Sequence, residues 1–148
     1  MTKWQLADYD LILLMRDAAM SVQMKYPSIH LDFTCPDTPW PMRLDTGRMM
    51  QVLESVLVGT VTTPHPEEEK EEVHCLVEHR RETTAAGVAV TSLHIHVEGT
   101  PLADEVRQNQ ESSLRHHINR LTVKHFGGNY MVDMEHQYIE LIFPGAEV

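Results

Sequence analysis

Met49, Val52, Leu53, Val56 and Leu57 stand at i, i+3, i+4, i+7 and i+8, which puts five apolar side chains on one stripe of an α-helix and fits no strand. Asp45 precedes the stripe as an N-cap residue, and Pro64 and Pro66 stop it. Further along, the period changes. Val88, Val90, Leu93, Ile95 and Val97 alternate with polar residues, with one phase slip near Ser92 that a β-bulge would explain. A chain carrying both periods has to lay amphipathic helices on a sheet.

The remaining segments fill in that scheme. Residues 8–24 read as a helix capped by Asp8, with Tyr9, Ile12, Leu13, Met20 and Met24 near one stripe and Pro27 at its end. Ile29 to Cys35 alternates as a half-buried strand. Pro36, Pro39 and Pro41 mark a connector, with a very short strand around Met42-Arg43-Leu44. Glu67 to Glu72 is a charge run, read as a solvated loop. Val73 to His79 alternates, with Val73, Cys75 and Val77 on one face, and Thr83 to Gly87 joins it to the next strand as a hairpin. Residues 99–113 are polar and without pattern, so they read as a mobile loop with at most a helical turn. Leu114, Ile118, Leu121 and His125 then define a helix, closed by Gly127-Gly128 as a left-handed cap. Asn129–Asp133 and Gln137–Phe143 form a last hairpin, turning near Met134-Glu135-His136. The expected architecture is a two-layer α+β sandwich: a mixed, mainly antiparallel sheet of about five strands covered on one face by about three helices.

Composition narrows the function classes. The 148 residues are one domain's worth of chain, taken here as 1–148 with a core of roughly 6–144. Acidic residues outnumber basic ones by 22 to 12, a formal charge of −10, which argues against nucleic acid or an anionic membrane surface as partner. No stretch approaches the ~18 apolar residues of a membrane helix. There is no secretory signal at Met1-Thr2-Lys3-Trp4-Gln5. Cys35 and Cys75 make at most one bridge, and two free thiols in a cytoplasmic protein is the plainer reading.

The order of elements, with Asp45-x-x-Arg48-x-x-Gln51-Val52-Leu53, Val61-Thr62-Thr63-Pro64, Ile95-His96-Val97-Glu98-Gly99-Thr100-Pro101, Leu121 to Gly128 and Leu141-Ile142-Phe143-Pro144, resembles the ATP-binding catalytic domain of sensor histidine kinases, a fold shared with gyrase and MutL. The resemblance implies a nucleotide site and assigns positions to it. Ser55 and Gly59 correspond to the two polar N-box residues that face nucleotide, the second of them an Asn that holds Mg²⁺. Thr62 corresponds to a basic residue that meets phosphate. Glu98 and Thr100 fall in the first glycine box, where an Asp accepts from the adenine amino group. Ser113 and Arg115 fall in the second, where glycine backbone cradles phosphate.

The chemistry at these positions is altered. Gly59 offers no oxygen to a hard cation. The neutral hydroxyl of Thr62 cannot replace a cation. The Glu98 carboxylate hangs on a chain longer by about 1.5 Å, which spoils a preorganised contact. Side chains at Ser113 and Arg115 crowd the backbone approach that glycine permits. The resemblance therefore implies a degenerate, pseudokinase-like domain of two-component signal transduction. No cofactor is expected, with ATP and Mg²⁺ entering only if the site works. Its partner would be a protein: a kinase, phosphotransfer or response-regulator domain. The phosphoacceptor helical hairpin of a full kinase is not in this sequence.

Two alternatives stand beside that reading. One is an active kinase domain with Ser55 near the metal, Glu98 on adenine and Arg115 on phosphate. The other is a metal-dependent enzyme built on His94 and His96, which share a strand face, with His74, His79 or a carboxylate as third ligand. His116 and His117 point to different helix faces and cannot chelate together. Met49 and Met50 are read as core, with a Met-lined partner groove as the other use of such residues. No P-loop, nucleophile elbow or Ser–His–Asp order is present.

Overall fold

The computed structural model describes residues 3–27, 29–58, 71–99, 110–133, 135–136 and 138–147. Among them the order is β1 (Leu6–Asp10), α1 (Leu11–Lys25), β2 (Ile29–Thr34), β3 (Pro41–Asp45), α2 (Thr46–Val58), β4 (Glu71–Thr83), β5 (Ala89–Gly99), α3 (Gln110–His125), β6 (Asn129–Asp133) and β7 (Tyr138–Glu147). The main sheet runs β2-β4-β5-β7-β6, and β1 pairs with β3 as a separate two-stranded sheet. Only β2 and β4 are parallel; β5 joins β4 and β7, and β6 joins β7, antiparallel. A parallel pair needs a crossover, and β3 and α2 lie on it.

α2 forms as its spacing dictates. Met49, Val52, Leu53, Val56 and Leu57 are all buried. Asp45 caps it: Oδ1 accepts from the Arg48 amide at 3.1 Å, and Oδ2 accepts from the Gln5 amide at 3.0 Å. These two backbone donors hold the Asp45 carboxyl below the ordinary Asp range. The stripe packs on Val73, Cys75 and Val77 of β4, Leu93, Ile95 and Val97 of β5, and Ile139, Leu141 and Phe143 of β7, which form one core with α1. The opposite face of the sheet carries the alternate residues, among them His74, His94, His96, Glu98 and Glu140. The register of β5 against β7 slips between Val90 and Ser92, where the sequence breaks phase.

The Gly127-Gly128 pair works for two different reasons. Gly127 sits at φ +83°, and the amides of Gly127 and Gly128 return to the carbonyls of Lys124 and Val123, a Schellman closure of α3. Gly128 has an ordinary φ but no room: a Cβ there would lie 2.8 Å from the Phe143 ring and 2.9 Å from Val123.

Four expectations are corrected. The first helix starts at Leu11, and its cap is Asp10, whose Oδ1 accepts from Ile12 N at 2.9 Å. Tyr9 belongs to a strand, and Leu13, Met20 and Met24 face solvent. The buried side instead uses Leu11, Ile12, Leu14, Met15, Ala18, Ala19 and Val22, where two alanines weaken the apolar signal while allowing close packing. In α3, Leu114, Ile118 and Leu121 are 58, 53 and 56% exposed, and the buried side is His116, Asn119, Thr122 and Val123. Polar residues can turn inward there because each finds a partner: Thr122 Oγ1 donates to the Ile118 carbonyl at 3.0 Å, and the others join the network described below. Finally, Glu71 and Glu72 begin β4, so the charge run leads into a strand; Glu67 to Lys70 lie outside the described residues.

Candidate functional site

Between the C-terminal half of α1, the second half of α2 and the start of α3 lies a cavity of about 250 Å³, whose lining includes Lys25, Gln51, Glu54, Ser55 and Arg115. Two of the positions assigned to the nucleotide, Ser55 and Arg115, meet here. Lys25 Nζ sits 3.4 Å from Glu54 Oε1 across it. Gly59, Thr62 and Thr100 lie outside the described residues. Ser113 falls in the first turn of α3, and its side chain is outside the described set.

The Ser55 hydroxyl is engaged from within the protein. Asn119 Nδ2 on α3 donates to Ser55 Oγ at 3.1 Å and to Tyr130 Oη at 3.4 Å. Tyr130 on β6 in turn lies 2.6 Å from His116 Nδ1. Tyr130 Oη accepts the amide and shares a proton with His116 Nδ1, the direction following from which ring nitrogen is protonated. His116 is 5% exposed, and its Nε2 has no hydrogen-bond partner among the described residues. Burial first, then the neighbouring charges of Arg115 and Arg120, push the His116 pKa down to about 4, so the ring is neutral at pH 7. Burial also raises the Tyr130 hydroxyl, opposed by Asn119 and the two arginines. The sequence reading missed this network. Its signal was the polar set His116, Asn119 and Thr122, spaced on one helix face opposite the apolar one.

Glu98 lies elsewhere. It pairs across the sheet with His74 and Tyr138, on the face away from the helices. Its Oε1 is 2.7 Å from His96 Nε2. The structure thus does not bring Glu98 together with Ser55 and Arg115: the sheet separates them. Gly99, one residue on, is the buried neighbour in phase with Leu93, Ile95 and Val97.

The strand histidines are occupied in pairs. His94 Nε2 contacts Ser92 Oγ at 2.9 Å and its Nδ1 contacts Glu140 Oε1 at 3.5 Å, while His74 Nδ1 contacts Asp32 Oδ2 at 3.2 Å. Among the described residues, no group of three or more His, Cys, Asp or Glu side chains is arranged to hold a metal ion. Burial pushes the Cys75 thiol up to about 12 and also raises Cys35, so neither is a thiolate near neutral pH. Among the described residues no helix is long and apolar enough to cross a membrane.

No family model and no curated protein matches the sequence. Solved structures do match the fold. The mycobacterial sensor histidine kinase MprB superposes with a TM-score of 0.65 at 17% identity, over 96% of this chain and 99% of that one. The catalytic domain of histidine kinase ThkA gives 0.62 at 16% identity, over 97% and 95%. A histidine kinase from Burkholderia phymatum gives 0.61 at 14% identity, over 97% and 71%. The chain has the α+β fold of histidine-kinase catalytic domains, with a five-stranded sheet and three helices among the described residues, as the sequence order implied.

Proposed function

We propose that residues 1–148 are a single histidine-kinase-like domain of two-component signalling that has kept the scaffold, given up Mg²⁺–nucleotide chemistry, and acts on the cytoplasmic side by binding a protein partner. The observation that carries this is the Asn119–Ser55 hydrogen bond at 3.1 Å, which ties α3 to α2 through the one N-box hydroxyl the chain retains. The residues do not fit a Mg²⁺–nucleotide complex. The Ser55 hydroxyl already accepts from Asn119, Gly59 has no side-chain ligand, and the Glu98 carboxylate is held by His96 on the far side of the sheet. The rival reading of an active kinase needs Glu98 on the helix side, where β5 presents Gly99.

The partner surface in this reading is α3. Leu114, Ile118 and Leu121 at i, i+4 and i+7 form an exposed apolar stripe, and a cavity of about 330 Å³ beside Ile118 runs between α3 and α2, with Arg48 and Gln51 lining it. That arrangement suits an amphipathic helix laid into a groove, as a phosphotransfer hairpin or a kinase would offer. The expected result of Ile118→Glu with Leu121→Glu is a stability change within about 1 kcal/mol, since both positions are exposed. Affinity for the helical hairpin or receiver domain that binds the unaltered chain should fall at least about tenfold. Binding that is unchanged in the double variant, measured by titration against a panel of such domains, contradicts the assignment.

A further inference from the structure

We propose that a separate cavity, of about 430 Å³ between β3, β7 and the end of α3, is a binding site for a small planar aromatic carboxylate. It lies at the opposite end of the helix layer from Ser55, by the start of α1 and the close of α3, and stands independently of the function proposed above. Its volume is that of an ordinary small-molecule site. Trp40 and Phe126 supply two aromatic walls backed by the buried Phe143, Met42 adds a soft apolar one, and Arg43 is the one charged residue among those lining it.

The walls are held from behind. The Trp40 amide donates to Asp10 Oδ1 at 2.8 Å and its carbonyl accepts from Leu11 N at 2.9 Å, which clamps the backbone on both sides. The Trp40 ring meets His79 edge-on at 5.2 Å, and it lies so close to Gly145 that a Cβ there would be 2.7 Å from Cη2. Phe126 is fixed edge-to-face against Trp4 at 5.3 Å. Phe143 is 1% exposed and abuts Gly128. Walls fixed in this way keep a cavity open that free rotamers would fill.

Charge selects the ligand. An aromatic-lined cavity takes either a flat apolar group or, by cation–π attraction, an organic cation. Arg43 repels the cation and attracts a carboxylate, which its planar guanidinium can receive through two parallel hydrogen bonds. Its present partner Asp8 is 3.8 Å away and both are exposed, so that pair is weak and readily exchanged.

Three probes of one shape test the assignment on the full chain: naphthalene-2-carboxylate, 2-naphthylmethanol and 2-naphthylmethylamine, followed through the two indole N–H resonances and the backbone amides of the ¹⁵N-labelled protein. The expected result is a saturable shift of the Trp40 indole and the Gly145 amide by the carboxylate, with a Kd of about 0.1–1 mM for so small a ligand. The amine should bind at least about tenfold more weakly. Arg43→Gln, an exposed change that leaves the fold intact, should bring carboxylate and alcohol to equal affinity. Equal binding of all three probes overturns the anionic assignment. Silence at Trp40, shifts that map instead to the Ser55 cavity, or an unchanged preference in R43Q overturns the site.

Discussion

Replacing Phe143 with alanine will destabilise the protein by about 3–5 kcal/mol, the cost of deleting a fully buried aromatic ring and leaving a cavity behind. Phe143 is 1% exposed and sits where β7 meets the close of α3. Its ring rests on the bare Cα of Gly128, so no side chain there can swing in to refill the space. On the other side it backs the aromatic cavity, so truncation opens the core to that cavity as well. Domains of this size are stable by about 5–15 kcal/mol, so the variant loses a large share of its stability. Urea unfolding followed by circular dichroism measures the effect. A loss below about 1 kcal/mol would mean that β7 does not close over α3 as described.

The second large effect depends on pH. A histidine in the unfolded chain titrates near 6.5. In the folded protein, burial and then Arg115 and Arg120 press His116 down to about 4. Between those two values the unfolded chain binds the extra proton, so stability rises with pH across that window and is lost as pH falls through it. At about 1.4 kcal/mol per pH unit, the full contribution is on the order of 3 kcal/mol, lost by pH 4 and fully present above pH 6.5. The check is the unfolding free energy at pH 7 and at pH 4.5, for the unaltered chain and for His116→Gln. The unaltered chain should lose about 2–3 kcal/mol more than the variant over that interval. Parallel losses would mean that His116 is not held neutral in the fold. The protonated ring would also loosen the contact through Tyr130 and Asn119 to Ser55, so the same variant reports on the link between α3 and α2.

How much of this was legible in the sequence varies by element, and the reason is physical in each case. The α2 stripe, the Asp45 cap, the Gly127-Gly128 closure and the slip at Ser92 are local signals, and each appears where the residues put it. β1 was missed because Leu6 to Asp10 is exposed at all but its last residue and takes its order from β3, more than thirty positions away. The faces of α1 and α3 were misjudged because burial there is decided by partners rather than by hydropathy. Ala18 and Ala19 bury by being small. His116 and Asn119 bury because Tyr130 and Ser55 wait for them across the fold, and nothing near 116 or 119 in the chain announces Ser55.

The candidate site divides in the same way. The altered chemistry at Gly59 and Thr62 is plain from residue type. That Glu98 could not meet Ser55 was also readable, from parity alone: Leu93, Ile95 and Val97 face the core, so Glu98 shares the other face with His94 and His96.

The central claim is that this scaffold no longer takes Mg²⁺–nucleotide. It is tested most directly by calorimetric titration of the full chain with ADP and with a non-hydrolysable ATP analogue, with and without Mg²⁺, alongside thermal unfolding in the same solutions. The account predicts no heat of binding and no rise in Tm at millimolar nucleotide, with Glu98→Ala indistinguishable from the unaltered chain. Micromolar, Mg²⁺-dependent binding must raise Tm by mass action. Such binding, lost in Glu98→Ala, would contradict the account and place that carboxylate at the base after all.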